Sequence, residues 1–187
     1  MYQFSDIRKG LKVEIDGQPY LVAEAQFVKP GKGQAFNRTR LRNLITGALL
    51  ERTFKINESL APADVNQAKM QFMYRDADGF NFMNLETFDQ LSLSPEAVGD
   101  AANWLVEQME VDVLFFKDRA INIDLPYFVE LEITYCEPGM KGNTATGATK
   151  QATLSTGATV QVPLFVEQGE WIRIDTRTAE YVERVKK

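Results

Sequence analysis

Apolar and polar residues alternate along most of this chain, in short runs separated by glycine, proline and aspartate. A period of two is the signature of strands with one face on a core. Leu11 to Ile15, Pro19 to Val28, Phe36 to Leu44 and Leu49 to Phe54 read as strands, with Asp16-Gly17 and Thr46-Gly47 as turn signals between them. Four or five short strands within the first sixty residues predict a small barrel. A second set follows: Ala68 to Arg75, the Asp76-Ala77-Asp78-Gly79 turn, Phe80 to Asn84, then Val111 to Phe116 and Ala120 to Ile123. Most of Phe72, Tyr74, Phe80, Phe82, Phe115 and Phe116 fall at core-facing positions of this alternation. Between these strands Ser94 is a candidate helix cap with Pro95 at the first helical position, and Ala97 to Met109 reads as short helical pieces interrupted at Gly99. Phe128 to Tyr135, Ala152 to Ser155, Thr159 to Val166, Glu170 to Asp175 and Ala179 to Arg184 form a third β set, a small Greek-key barrel.

Weak points near Pro62-Ala63 and Pro126-Tyr127 divide the chain into segments 1–63, 64–127 and 128–187. The division changes the meaning of the charge. The net charge of -5 resolves into 10 Lys/Arg against 6 Asp/Glu in the first segment, 4 against 12 in the second and 7 against 8 in the third. The first segment is therefore basic in an acidic protein, an arrangement that directs one end toward a polyanion. Histidine is absent, which removes the usual general base and the commonest metal ligand. One cysteine, Cys136, permits no internal disulfide and fits a reducing compartment. Met1 to Gly10 contains no apolar run and no stretch reaches transmembrane length, so a soluble cytoplasmic protein without a membrane partner is expected.

The candidate chemistry gathers around Lys29-Pro30-Gly31-Lys32-Gly33-Gln34-Ala35-Phe36. Pro30 starts a turn, and Gly31 and Gly33 allow positive φ while leaving no side chain beside Lys32. The turn joins two strands and puts a bare cation at its tip, which is either a solvated hairpin lysine or a group meant for close approach. Arg38, Arg40 and Arg42 recur at period two, so one strand face carries all three at spacings of roughly 6–7 Å, while Asn37, Thr39 and Leu41 face the other way. Guanidinium groups so spaced suit a phosphate backbone, though a merely solvated polar face has the same pattern. The glycine-rich stretch Lys141 to Lys150 lacks the lysine directly after its second glycine that a nucleotide-binding P-loop requires, and it reads as an exposed binding loop. Asp76, Asp78 and Asp89 lack calcium-loop spacing and read as turn carboxylates.

Taken in register, the lysine turn, Phe82-Met83-Asn84 with Glu86-Thr87-Phe88, Phe128-Val129-Glu130-Leu131, Ala152 to Gly157, Val162 to Val166 and Glu180-Tyr181-Val182 resemble bacterial elongation factor P over essentially the whole chain. The resemblance implies an SH3-like (KOW-type) first barrel and two OB-type barrels in an L-shaped, tRNA-like arrangement. It implies a non-enzymatic factor, with no cofactor, metal or catalytic residue. Such a factor enters the ribosome between the P and E sites, contacts both subunits and the P-site peptidyl-tRNA, and relieves stalling at consecutive prolines. On that resemblance Lys32 is the position extended after synthesis, by β-lysylation or a similar modification, the former through a lysyl-tRNA-synthetase-like enzyme in the lysine-loop subgroup. Pro30, Gly31, Gly33 and Gln34 support the loop, and Lys29, Arg38, Arg40 and Arg42 contact tRNA or rRNA. Gly142, Asn143 and Thr144 match a loop on the small-subunit and mRNA side, with Asn143 where the family often has aspartate. Tyr181 and Arg184 match RNA contacts in the last strand. A monomer suffices for such a ligand.

Two other readings stand beside this one. OB-type barrels bind single-stranded nucleic acid without any ribosome, by aromatic residues on a basic groove. A glycosidase-like enzyme would need paired carboxylates such as Glu130 with Glu132 or Glu107 with Glu110, although nothing in the sequence marks a sugar cleft.

Overall fold

The computed structural model describes residues 1–139 and 147–187, and its strands form three five-stranded antiparallel sheets. The first holds β1 (Lys12–Ile15), β2 (Gln18–Val28), β3 (Phe36–Asn43), β4 (Leu49–Lys55) and β5 (Ala61–Pro62), in the order β4-β3-β2-β1-β5. The second holds β6 (Val65–Arg75), β7 (Phe80–Asn84), β8 (Gln90–Leu93), β9 (Glu110–Phe116) and β10 (Arg119–Asp124), in the order β10-β9-β6-β7-β8. The third holds β11 (Phe128–Cys136), β12 (Thr149–Leu154), β13 (Thr159–Pro163), β14 (Trp171–Asp175) and β15 (Glu180–Val185), in the order β13-β12-β11-β14-β15. The all-β architecture follows from the period-two pattern. By backbone proximity the chain forms two compact units, Met1–Ala68 with Val113–Asn122, and Lys69–Asp112 with Ile123–Lys187.

In the first unit Ile7, Val13, Ile15, Val22, Leu41, Phe54 and Leu60 make one buried cluster. Each such side chain, fully buried, contributes roughly 1.5–3 kcal/mol. The long β2–β3 ladder runs from Tyr20 opposite Asn43 to Val28 opposite Phe36, with a bulge between Val22 and Glu24. That register sets which side chains flank the arginines of β3. A single bridge, Tyr2 to Leu60, ties the chain start to this sheet.

The second unit contains the third sheet, whose core is Val129, Leu131, Ile133, Leu154, Val162, Ile172 and Ile174 with their neighbours. Trp104, Val106 and Met109, from the stretch before β9, pack into that same core. Their position explains where the helical expectation failed. The helix α1 covers only Pro95–Val98, capped by Ser94 Oγ accepting from Ala97 N–H at 3.3 Å. Gly99 takes φ 58° and a 3₁₀ turn follows over Gly99–Asn103. From Trp104 onward the chain leaves helical geometry because three apolar side chains are drawn into a neighbouring core. β8, which the alternation pattern does not mark as a strand, pairs with β7 from Phe80–Leu93 to Met83–Gln90. Gly79 lets the two strands close, since a Cβ there would lie 2.1 Å from the Leu93 carbonyl oxygen at φ 151°.

Candidate nucleic-acid interface

The β2–β3 hairpin ends at the Val28–Phe36 pair, leaving residues 29–35 as its loop. Lys29, Gly31, Lys32, Gly33 and Gln34 are exposed, and Pro30 is half-buried. The two glycines differ in what they do. Gly33 holds φ 117°, a backbone that an L side chain strains to adopt, whereas Gly31 has no positive φ and open space where a Cβ would sit. Gly33 is thus required by the turn, and Gly31 keeps the flank of Lys32 clear.

β3 carries out the alternation its sequence predicts: Asn37, Thr39, Leu41 and Asn43 are buried and Arg38, Arg40 and Arg42 exposed. Thr39 Oγ1 satisfies its burial by donating to the Arg52 carbonyl at 2.6 Å. Asn43 Oδ1 accepts from the N–H groups of Ile45 and Thr46 at 2.8 and 3.1 Å, which starts the turn into β4. The three arginines share a face but not an environment. Arg40 lies between Glu24 on β2 and Glu51 on β4, with nitrogen–oxygen distances of 3.6 and 3.7 Å. Arg38 stands between Gln26 and Thr53, and Arg42 between Leu21 and Leu49, so neither has a carboxylate as cross-strand neighbour. The outer two guanidinium groups are therefore the readier anion ligands, and the middle one is half neutralised. Sequence reading did not find this, because the bracketing acids come from other strands.

Phe27, just before the loop, is 59% exposed and meets Phe4 at a ring-centroid distance of 5.9 Å. An exposed aromatic beside a cationic loop offers a stacking surface for a base or ribose. The sequence reading missed it, because a strand phenylalanine reads as core.

In the second unit, Tyr181 and Arg184 of β15 line one cleft of about 770 Å³ together with Phe165, Trp171 and Lys187. The Arg184 guanidinium donates to Glu170 at 3.1 Å and lies 4.9 Å from the centroid of the Phe165 ring. Lys187 Nζ stands 4.3 Å from the Trp171 centroid. Burial pushes the Tyr181 hydroxyl above its ordinary pKa, so it stays a neutral donor. Gly142, Asn143 and Thr144 lie outside the described residues.

Two of the carboxylates singled out in the sequence, Glu130 and Asp76, have structural tasks. Glu130 is held below the ordinary glutamate range by its hydrogen bond to Lys187 and then by that to Arg173. It is committed to ion pairs at 3.2 Å with each of them. Asp76 closes its own turn, accepting from Asp78 and Gly79 N–H at 2.9 and 3.0 Å and from Asn81 Nδ2 at 2.9 Å. Among the described residues no group of three or more acid or cysteine side chains is placed to hold a metal ion. No helix among them is long and apolar enough to cross a membrane.

The fold of this chain has counterparts over part of its length among solved structures. It is shared with the eukaryotic translation initiation factor 5A from Methanococcus jannaschii, at a TM-score of 0.51 and 22% identity, covering 63% of this chain and 87% of that one. It is shared also with a translation initiation factor eif-5a family protein from Naegleria fowleri, at 0.52 and 19%, covering 66% and 96%. Three family models match in sequence: the elongation factor P KOW-like domain over residues 3–60, its OB domain over 65–123 and its C-terminal domain over 129–184. Elongation factor P of Desulfatibacillum aliphaticivorans is 49% identical over 187 residues, covering 100% of both chains. That of Bdellovibrio bacteriovorus is 49% identical over 185 residues, covering 99% of this chain and 98% of its own, and that of Syntrophus aciditrophicus 47% over 186, covering 100% of both. The chain belongs to the elongation factor P family, and its role is that of a translation factor.

Proposed function

We propose that this protein binds the ribosome between the P and E sites and promotes peptide-bond formation at consecutive prolines by steadying the acceptor end of the P-site tRNA. The observation that carries the reading is the hairpin itself: an exposed Lys32 between two glycines, at the head of a strand face bearing Arg38, Arg40 and Arg42. The proline ring restricts backbone geometry, so a peptidyl-tRNA ending in proline rests in unproductive poses. Holding the acceptor end near its attack geometry lowers the barrier, by tenfold in rate for about each 1.4 kcal/mol, while the chemistry remains the ribosome's. Lys29, Arg38 and Arg42 supply phosphate ligands, Arg40 a weaker one, and Phe27 a stacking surface. Tyr181 and Arg184, with Gly142, Asn143 and Thr144, serve on the small-subunit side.

On this reading Lys32 Nζ attacks the carbonyl of a β-lysyl group that a lysyl-tRNA-synthetase-like enzyme holds as its acyl-adenylate, and AMP leaves as the amide forms. The amide formed at Nζ removes that charge, and the added residue brings two amines, so the arm gains reach and one net positive charge. Gly31 leaves space for the approach of the modifying enzyme and of the tRNA.

The test is the rate of Pro-Pro-Pro synthesis on purified ribosomes with no factor, with protein isolated from its own host, and with its Lys32→Ala variant. A large acceleration by the host protein, lost in the variant, is expected. No acceleration by the host protein overturns the reading. Affinity for free oligonucleotides equal to that for ribosomes would favour a general single-strand binding module instead. Peptide mass spectrometry of the host protein is expected to show added mass on Lys32, and an unmodified lysine there overturns that part.

A further inference from the structure

Three turns of this chain are one loop built from different residues. Asn43 to Ala48 joins β3 to β4, Asn84 to Asp89 joins β7 to β8, and Asp175 to Glu180 joins β14 to β15. In each, the first side chain caps the loop from within. Asn43 Oδ1 accepts from the N–H of Ile45 and Thr46 at 2.8 and 3.1 Å, and Asn84 Oδ1 from Glu86 and Thr87 at 2.8 and 3.1 Å. Asp175 Oδ1 accepts from Arg177 at 2.9 Å. A threonine stands fourth in all three, and the Oγ1 atoms of Thr46 and Thr87 each accept from the N–H two residues on at 3.3 Å. The fifth residue donates its N–H to the first carbonyl, at 2.8 Å for Gly47, 2.9 Å for Phe88 and 2.8 Å for Ala179.

That fifth residue is left-handed each time, with φ of 75°, 62° and 61°. Glycine suits the position, and alanine is the smallest side chain that tolerates it. The central loop instead holds Phe88, a bulky residue in strained backbone, with 69% of its surface exposed. The same hydrogen bonds close around Gly47 and Ala179, so the ring is not required by the loop. It gains little burial within the chain and leaves an apolar surface in water. The ring is an apolar surface that the chain itself leaves uncovered, free to meet a partner.

The neighbours of the ring select the chemistry of that partner. Glu86, Thr87, Asp89 and Gln90 are exposed, and neither acid enters an ion pair among the described residues. The surrounding segment 64–127 carries 4 Lys/Arg against 12 Asp/Glu. Carboxylates on both sides repel a phosphate backbone, whereas a cationic protein surface with an apolar recess takes the ring and pairs the acids. We propose that Phe88 is an anchor residue that inserts into an apolar pocket of a basic ribosomal protein, with Glu86 and Asp89 meeting cations at the pocket rim. The proposal rests on the reading that the ribosome is the partner.

Dissociation constants for purified host ribosomes, measured with the full chain and with Phe88→Ala, Phe88→Gly and the double change Glu86→Gln/Asp89→Asn, test it. Both Phe88 variants are expected to bind about tenfold or more weakly. Phe88→Gly should at the same time raise the melting temperature, which separates loss of the contact from loss of the fold. The charge variant is expected to weaken binding several-fold, most at low salt. A photo-crosslinking benzoyl group attached to the ring of residue 88 should join the protein to a basic ribosomal protein. Wild-type affinity in both Phe88 variants, or a crosslink confined to ribosomal RNA, overturns the proposal. Failure of the unaltered protein to bind ribosomes is a separate result, and it overturns the functional reading together with this site.

Discussion

Arg40 stands at the centre of the cationic face, yet its two carboxylate neighbours make it the least available of the three arginines. The pairs are exposed, so each stabilises the fold by about 0–1 kcal/mol at most. On the proposed function their larger effect is on binding, because Arg40 would have to leave Glu24 and Glu51 to meet a phosphate. Glu24→Gln/Glu51→Gln is therefore expected to strengthen ribosome binding at low salt and steepen its salt dependence. Arg38→Gln and Arg42→Gln should each flatten the slope of log affinity against log salt by ~0.7, and Arg40→Gln by less. Titrations of ribosome binding across a salt series read all four, and equal losses from the three arginines would show that the bracket has no effect.

A second residue, Asp175, carries a pH dependence. The Arg177 side chain, and then its backbone N–H, hold the Asp175 carboxyl below the usual aspartate value of 3.8. A depressed folded pKa means that the stabilisation is present above the unfolded value and is lost as pH falls through the folded one. Acid unfolding should therefore draw on Asp175 below about pH 4. The equivalent loops use Asn43 and Asn84 for the same cap, so Asp175→Asn should fold with little change in melting temperature at pH 7. The same variant should lose part of the decline in melting temperature below about pH 4.

Among the elements, the stretch between α1 and β9 shows how far a local pattern reaches. Pro95 and Ser94 predict a helix start and Gly99 predicts an interruption, and all three act as expected because capping and backbone freedom are local properties. The fate of Trp104 is not local. Trp104, 6% exposed, belongs to the buried core of the third sheet, and Thr156 Oγ1 donates to the carbonyl of the preceding residue, Asn103, at 2.6 Å. Trp104→Ala is expected to destabilise the second unit by about 3–5 kcal/mol, seen as a lowered melting transition in calorimetry. Thr156→Val should cost about 1–2 kcal/mol by removing that hydrogen bond and the longer one its Oγ1 accepts from the Ala158 N–H at 3.5 Å. Two elements escaped the alternation pattern for a different reason. β5 has two residues and β8 four, too few positions for a period to declare itself against the loops that flank them.

For the whole molecule, the division of charge matters more than its sum. Segment 1–63 is net basic and holds the hairpin, while segment 64–127 is strongly acidic and holds Phe88. On the proposed function, the basic hairpin meets RNA and the acidic segment meets basic protein, a combination that a ribosome, made of both, provides.

The amino-acid sequence by itself determined the longer strands, several of the turns and the basic face, since each depends on residues close in the chain: a period of two, a capping side chain, a glycine at positive φ. It also located Lys32, because a lysine between glycines is a local fact. Only the tertiary structure decided that Glu24 and Glu51 flank Arg40, that Phe27 lies exposed beside the loop, that Trp104 belongs to the third sheet's core, and that Phe88 occupies a backbone position elsewhere held by Gly47 and Ala179. These depend on strand register and on which cores close around which side chains. Both are set by packing summed over residues far apart in sequence, which no local window contains.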